Sequence, residues 1–160
     1  SGHLTLGGTS IIATLTRLGY DNIRWGIVRA SDTGAPHKRA RIFIWAFADT
    51  DGRGFQSVRP QSGLGETFKE SCPVGFFGPY EPAVKQWAQI IGRPVPIPVD
   101  DRGVEPVFVE WMMGLPEGHV TGLGLSRTAE LKILGNGVVP QQAALAINLL
   151  TERGENATSA

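Results

Sequence analysis

Apolar positions recur at two different periods along the chain, and the changes of period divide it. In TSIIATLTRLG, Ile11, Ile12, Leu15 and Leu18 fall at helical spacing, with Thr9 or Ser10 placed to cap the start and Gly19 to end it. DNIRWGIVRAS changes to period two: Ile23, Trp25 and Ile27 alternate with polar or small residues, as in a strand with one covered face. The turn SDTGAP leads into ARIFIWAFA, an apolar and aromatic run that predicts a strand buried on both faces. Helix, strand, turn and strand predict the edge of an α/β sheet, which two strands alone do not complete.

From Asp49 to Gly78 no periodicity survives, and this Gly-rich polar segment is too long for an ordinary connection. It reads as a functional loop or a partly disordered one. Pro82 opens EPAVKQWAQIIG, a short helix presenting Val84, Trp87, Ile90 and Ile91 and stopped at Gly92. The prolines of RPVPIPVDDRG keep it extended. Three further helices are predicted: one from Pro106 to Gly114, one capped by Ser126 and stopped at Gly135, and one with Pro140 in its first turn. The last carries Ala144, Leu145, Ile147, Leu149 and Leu150. No internal repeat is visible, and GENATSA is expected to fray.

Composition narrows the classes. At 160 residues one domain is expected. No run approaches the roughly 20 apolar residues of a membrane helix, and the start lacks the form of a signal peptide, so the expectation is a cytoplasmic protein with no membrane partner. The single cysteine, Cys72, excludes an internal disulfide and a multi-thiolate zinc site, and no metal site is expected. The chain has 15 Lys+Arg and 15 Asp+Glu, but six basic residues and two acids fall within residues 1–45. That balance of +4 permits an anionic partner there and leaves −4 on the remainder.

The densest chemistry lies in GAPHKRARIFI. On an extended chain Arg39 and Arg41 share a face, and two guanidinium groups at the entrance of a strand suit phosphate, carboxylate or a base edge. They suit equally the role of edge-strand charges that discourage aggregation. In LGNGVVPQQAA, a Gly-Asn-Gly turn feeds a helix start, where Asn136 and free N–H groups suit an anion or a ligand's polar end. The same turn is also an ordinary way to join two helices. His3, His37 and His119 have no metal-spaced partners, and Cys72 in ESCPVG has no neighbouring base, so hydrogen-bonded or exposed histidines and an inert thiol are expected. Trp111, Met112 and Met113 are expected in the core.

In this order the segments resemble the C-terminal part of DNA (cytosine-5) methyltransferases. GAPHKRARIFI is similar to the family's eighth motif, Gly-x-Pro-Gln-x-Arg-x-Arg before a strand. EPVFVEWMMGLPEG is similar to the ninth, Thr-Pro-Arg-Glu with a following Met-Gly-Phe-Pro, and LGNGVVPQQAALAI to the tenth, Gly-Asn-Ser-Val before a helix. The resemblance runs over about residues 8–151 and implies a Rossmann-like sheet, of which this chain carries the last two strands plus helices. It implies 1–49 as catalytic-domain strands with motif eight, 50–118 as a short irregular target-recognition-like region with motif nine, and 119–160 as motif ten with the returning helix.

In such enzymes a flipped cytosine is attacked at C6 by a cysteine thiolate and methylated at C5 by S-adenosylmethionine. Carried over by position, the resemblance implies that Arg41 supports the cytosine O2 and that Arg39 organises the site. It gives Gly135, Asn136 and Gly137 the cofactor-side turn, and Lys38 and His37 the DNA side. His37 stands where Gln is usual, Gly137 replaces Ser, and Val107 and Phe108 occupy the Arg-Glu positions of motif nine. The Phe-x-Gly-x-Gly loop, the Pro-Cys-Gln nucleophile and the Glu-Asn-Val acid are not in these residues, and Cys72 lies after motif eight. The expectation is a methyltransferase segment, whether truncated piece, gene remnant or subunit of a split restriction-modification enzyme, inactive alone and completed by a chain with the N-terminal motifs. The alternative is a non-catalytic DNA-binding or regulatory module of the same origin.

Overall fold

The computed structural model describes residues 9–48 and 75–152. His3, Cys72, most of the Gly-rich segment and the GENATSA end lie outside these residues. Helix α1 (Thr9–Arg17) ends at Gly19, whose φ of 88° only glycine adopts without strain. It packs on β1 (Tyr20–Arg29), which pairs antiparallel with β2 (Ala40–Ala48) across a 3-10 turn at Ala30–Thr33. Asp32 sets that turn by accepting the Arg29 N–H at 2.8 Å.

The chain continues through α2 (Glu81–Ile91), the hairpin β3 (Val99–Asp100) and β4 (Gly103–Val104), α3 (Pro106–Met112), α4 (Arg127–Asn136) and α5 (Pro140–Glu152). Two small antiparallel sheets among helices make a mixed α/β architecture. The Pro-rich segment is extended except for its hairpin, which Arg127 ties to α4 through Asp100, Glu105 and the Val104 carbonyl. Gly92 and Ser126 stop and cap their helices as expected, whereas α4 runs one residue past Gly135 and closes on Gly137.

Burial of the main sheet differs from the pattern-based expectation. Alternation predicts that Ile23, Trp25 and Ile27 form the covered face, yet Trp25 is 50% and Ile27 47% exposed. Helix α5 covers the opposite face instead, where Val28 is buried and a Cβ on Gly26 would lie 3.7 Å from Leu150. That distance is ordinary van der Waals contact, so Gly26 and Leu150 pack closely, and Arg24 on the same face donates to the Leu150 and Thr151 carbonyls that end the helix. Nor is β2 buried on both faces: Ile42, opposite Ile27, is 46% exposed.

The core lies on the helical side. Ala30 and Ala35 from the turn pack with Val84 and Trp87 of α2, Phe108 and Trp111 of α3, Met113, and Val139 at the start of α5. Phe77, Phe108 and Trp111 stack in series at centroid distances of 5.8 Å. The Trp87 indole donates to the Trp111 carbonyl at 3.0 Å, so this aromatic core is also polar-satisfied. Arg127–Thr151 has the length and composition of a membrane span, but it is two helices broken at residues 137–139, with Leu134, Val139, Ala146 and Leu150 buried in the protein.

Candidate functional site

The two chemical signals of the sequence meet. Arg39 has a φ of 22°, an uncommon conformation for a residue with a side chain, so the strand proper begins at Ala40. This turn of the backbone sends the Arg39 guanidinium to the loop between α4 and α5, where one nitrogen donates to the carbonyls of Gly135 at 2.7 Å and Gly137 at 2.5 Å. A cation on the final carbonyls of α4 is favoured both by hydrogen bonding and by the helix dipole. Residues 96 and 98 positions away are thereby joined to the entrance of β2.

Arg41 does something different. Exposed and paired in register with Val28, it donates only to the Ala40 carbonyl among the described residues. Period-two spacing predicted one face with two equivalent guanidiniums; the positive φ at Arg39 separates them into a group engaged with backbone and a group facing out. They remain close enough that the Arg41 charge, second to burial, lowers the Arg39 pKa from its ordinary value. Lys38 is exposed beside them.

His37 is half-buried, with Nε2 3.0 Å from the Met112 carbonyl. A carbonyl only accepts, so Nε2 carries the proton and Nδ1 is free to accept in the neutral ring. Burial holds its pKa below the ordinary value, the Met112 bond opposing and the Arg39 charge adding. GAPHKRARIFI is thus pinned to the end of α3 through His37 and to the α4–α5 loop through Arg39. Asn136, Gly135 and Gly137 are all exposed at that loop, and a Cβ on Gly135 would meet nothing within 4 Å.

Three residues that the sequence reading did not single out organise the surroundings. Gln142, wholly buried on α5, donates to the carbonyls of Val28 at 2.7 Å and Arg39 at 2.8 Å. Glu110, 1% exposed on α3, accepts from the N–H groups of Gly118, Val120 and Thr121 and from the Thr121 hydroxyl. Arg93 donates to the Leu115 carbonyl beside a cavity of about 170 Å³ that it lines with Val107, Glu110, Trp111 and Glu117. A lone acid inside VFVEWMM and a glutamine pair at the start of an apolar helix were the available signals. Phe108 belongs to the aromatic stack and Val107 to the cavity wall, so neither carries charge. Arg93 is instead the cation close to Glu110 and Glu117.

Residues 8–67 match the family model for C-5 cytosine-specific DNA methylase. They form a DNA cytosine-5 methyltransferase-related region. The match covers less than half of the chain and includes α1, β1, the turn and β2, with His37, Lys38, Arg39 and Arg41. No curated protein matches the chain, and no solved structure does. The Gly135–Gly137 loop falls outside the matched residues, and the Arg39 guanidinium links it to the methyltransferase-related region.

Proposed function

We propose that this chain supplies the cytosine-supporting and cofactor-flanking parts of a DNA cytosine-5 methyltransferase whose nucleophile, cofactor loop and acid lie on other residues, in a separate chain or elsewhere in a longer one. The observation that carries this reading is the Arg39 junction with Gly135 and Gly137, which joins the methyltransferase-related region to a loop of motif-ten form. Arg41 donates to the cytosine O2, where negative charge develops as the ring is attacked; an exposed guanidinium suits that task. Arg39 holds the two segments in register, and Lys38 and His37 face the DNA side.

S-adenosylmethionine, when bound, supplies the methyl group. The residues present fit one flank of it: Asn136 offers an exposed carboxamide, and the backbone at Gly135 stands open with no neighbour in the way. The chain is mixed with a polypeptide bearing the Phe-x-Gly-x-Gly, Pro-Cys-Gln and Glu-Asn-Val motifs, and incorporation of labelled methyl into DNA is measured. Incorporation is expected only in the mixture, and Arg41→Ala should lower it on the order of 100-fold, as for loss of one group stabilising developing charge. No incorporation together with no co-purification of the two chains counts against the reading.

The second reading is a non-catalytic DNA-binding or regulatory module. It is favoured by Lys38 and Arg41, which are exposed and in no ion pair with an acid among the described residues. DNA binding by the chain alone, without methyl transfer in the mixture, selects it.

A further inference from the structure

We propose that Gln142 is a positioning residue for Arg39, a clamp that fixes the motif-eight backbone so that the guanidinium reaches the Gly135–Gly137 loop; its bearing on methyl transfer rests on the function proposed above. The carbonyls of Val28 and Arg39 sit at the end of the β1–β2 ladder, where the strands part into the 30–39 turn. Buried carbonyls there need donors, and Gln142 delivers both hydrogens of one nitrogen to them, at 2.7 Å and 2.8 Å. No neutral side chain other than Asn or Gln carries two hydrogens on a single nitrogen, and only Gln has this reach.

The position is an expensive one for a polar group. Gln142 is 0% exposed on a helix face otherwise given to Val139, Ala146 and Leu150, and its Oε1 has no partner among the described residues. An apolar residue would fill the space without that unpaired acceptor, so packing does not account for glutamine. What the carboxamide does achieve is to hold the one residue with a side chain at positive φ among the described residues, Arg39 at 22°. Such a conformation persists where the surroundings over-determine it. Arg39 is gripped twice by a single stretch of chain: its carbonyl by Gln142, its guanidinium by Gly135 and Gly137. Releasing the first grip lets the backbone relax toward negative φ and withdraws the second.

The test uses the full chain, with ¹⁵N-labelled arginine and glutamine side chains observed by NMR. In the wild type the Gln142 carboxamide protons and the Arg39 guanidinium protons should exchange slowly with water. Gln142→Met, similar in volume and without donors, should speed exchange at Arg39 by about tenfold or more, the effect of losing two ordinary hydrogen bonds. The Trp87 indole, whose own bond is to the Trp111 carbonyl and not to Gln142, should stay protected and so reports that the variant is folded. Gln142→Asn keeps the two hydrogens but falls a methylene short, and should give an intermediate rate. Unchanged Arg39 exchange in a folded Gln142→Met chain overturns the proposal. So does a wild-type Gln142 carboxamide that exchanges like a free one, a result that needs no variant to fold. In the methyltransferase mixture, Gln142→Met should raise the KM for S-adenosylmethionine more than it lowers kcat, because the loop rather than the nucleophile is loosened. A wild-type mixture with neither activity nor co-purification defeats the functional reading while the Arg39 exchange still decides the clamp.

Discussion

Replacing Glu110 by Gln removes one oxygen's charge and changes little else in shape, so its cost can be worked from the bonds. Glu110 is 1% exposed and accepts four hydrogen bonds: Oε1 from Val120 N at 2.6 Å and Thr121 N at 3.1 Å, Oε2 from Gly118 N at 2.9 Å and the Thr121 hydroxyl at 2.8 Å. In the better orientation Gln keeps the Oε1 pair, now neutral and weaker, and the Thr121 hydroxyl turns to accept. The Gly118 N–H is left facing another donor. Losing one charge-assisted bond and weakening two others amounts to about 2–4 kcal/mol. At about 2–4 °C per kcal/mol for a chain of this size, Tm should fall by roughly 5–15 °C at neutral pH.

The same site fixes a pH dependence. Burial alone pushes the Glu110 carboxyl up, but the hydrogen bonds from Val120, Thr121 and Gly118 outweigh it and hold the pKa below the ordinary 4.5. A carboxylate with a depressed folded pKa contributes stability that is fully present above the unfolded value and is lost as pH falls through the folded one. Calorimetry of wild type and Glu110→Gln from pH 7 to pH 3 should show the Tm gap narrowing below about pH 4.5. A variant melting within 2 °C of wild type at pH 7, or a gap independent of pH, would refute the reasoning.

The remaining expectations concern the loop and the basic face. Gly137 has a φ of −60° and a Cβ there would meet its nearest neighbour at 3.5 Å, so Gly137→Ser should leave Tm unchanged or raise it slightly. Gly34 has a φ of 86° and a Cβ only 2.3 Å from Ile90, so Gly34→Ala should lower stability by about 1–2 kcal/mol in urea unfolding. Arg39→Ala strips the cation from the Gly135 and Gly137 carbonyls and should cost about 1 kcal/mol, with faster amide exchange in the last turn of α4. If the chain binds duplex DNA through its basic face, Arg41→Ala should weaken binding and reduce the slope of log K against log salt by about one, read by fluorescence anisotropy.

Much of this fold was legible because the local signals are strong. Gly19 and Gly92 end helices in the left-handed region, Ser126 caps α4, and Pro106 and Pro140 open α3 and α5. What period two cannot tell is which face of a strand the rest of the protein covers. Ile23, Trp25 and Ile27 carry the apolar pattern, yet α5 lies on the other side, where Val28 is buried and Arg24 bonds the carbonyls that end the helix, contacts with residues more than 100 positions away that alternation does not encode. The site was legible as two separate patches of residue chemistry. That they meet depends on Arg39 leaving extended conformation, a tertiary fact enforced by Gln142 from more than 100 residues away.

The uncovered face bears directly on what the chain is for. Ile42 lies opposite Ile27 and the half-buried Ile44 opposite Trp25, so among the described residues the exposed side chains on this side of the sheet adjoin one another. A two-stranded ribbon with one face buried against α5 gains from only half of its apolar pattern, and such ribbons are marginal unless further strands or a second layer join them. In a self-sufficient two-stranded unit, polar residues on the outer face would be the economical choice. Trp25, Ile27 and Ile42 are instead the residues of a sheet interior, which is what the proposed function requires of a segment that completes a larger catalytic domain. Trp25 emission should therefore shift to shorter wavelength, and Trp25→Asp should abolish complex formation, when the chain bearing the remaining motifs is added; if neither changes on complex formation, the partner docks elsewhere and the sheet is not extended by it.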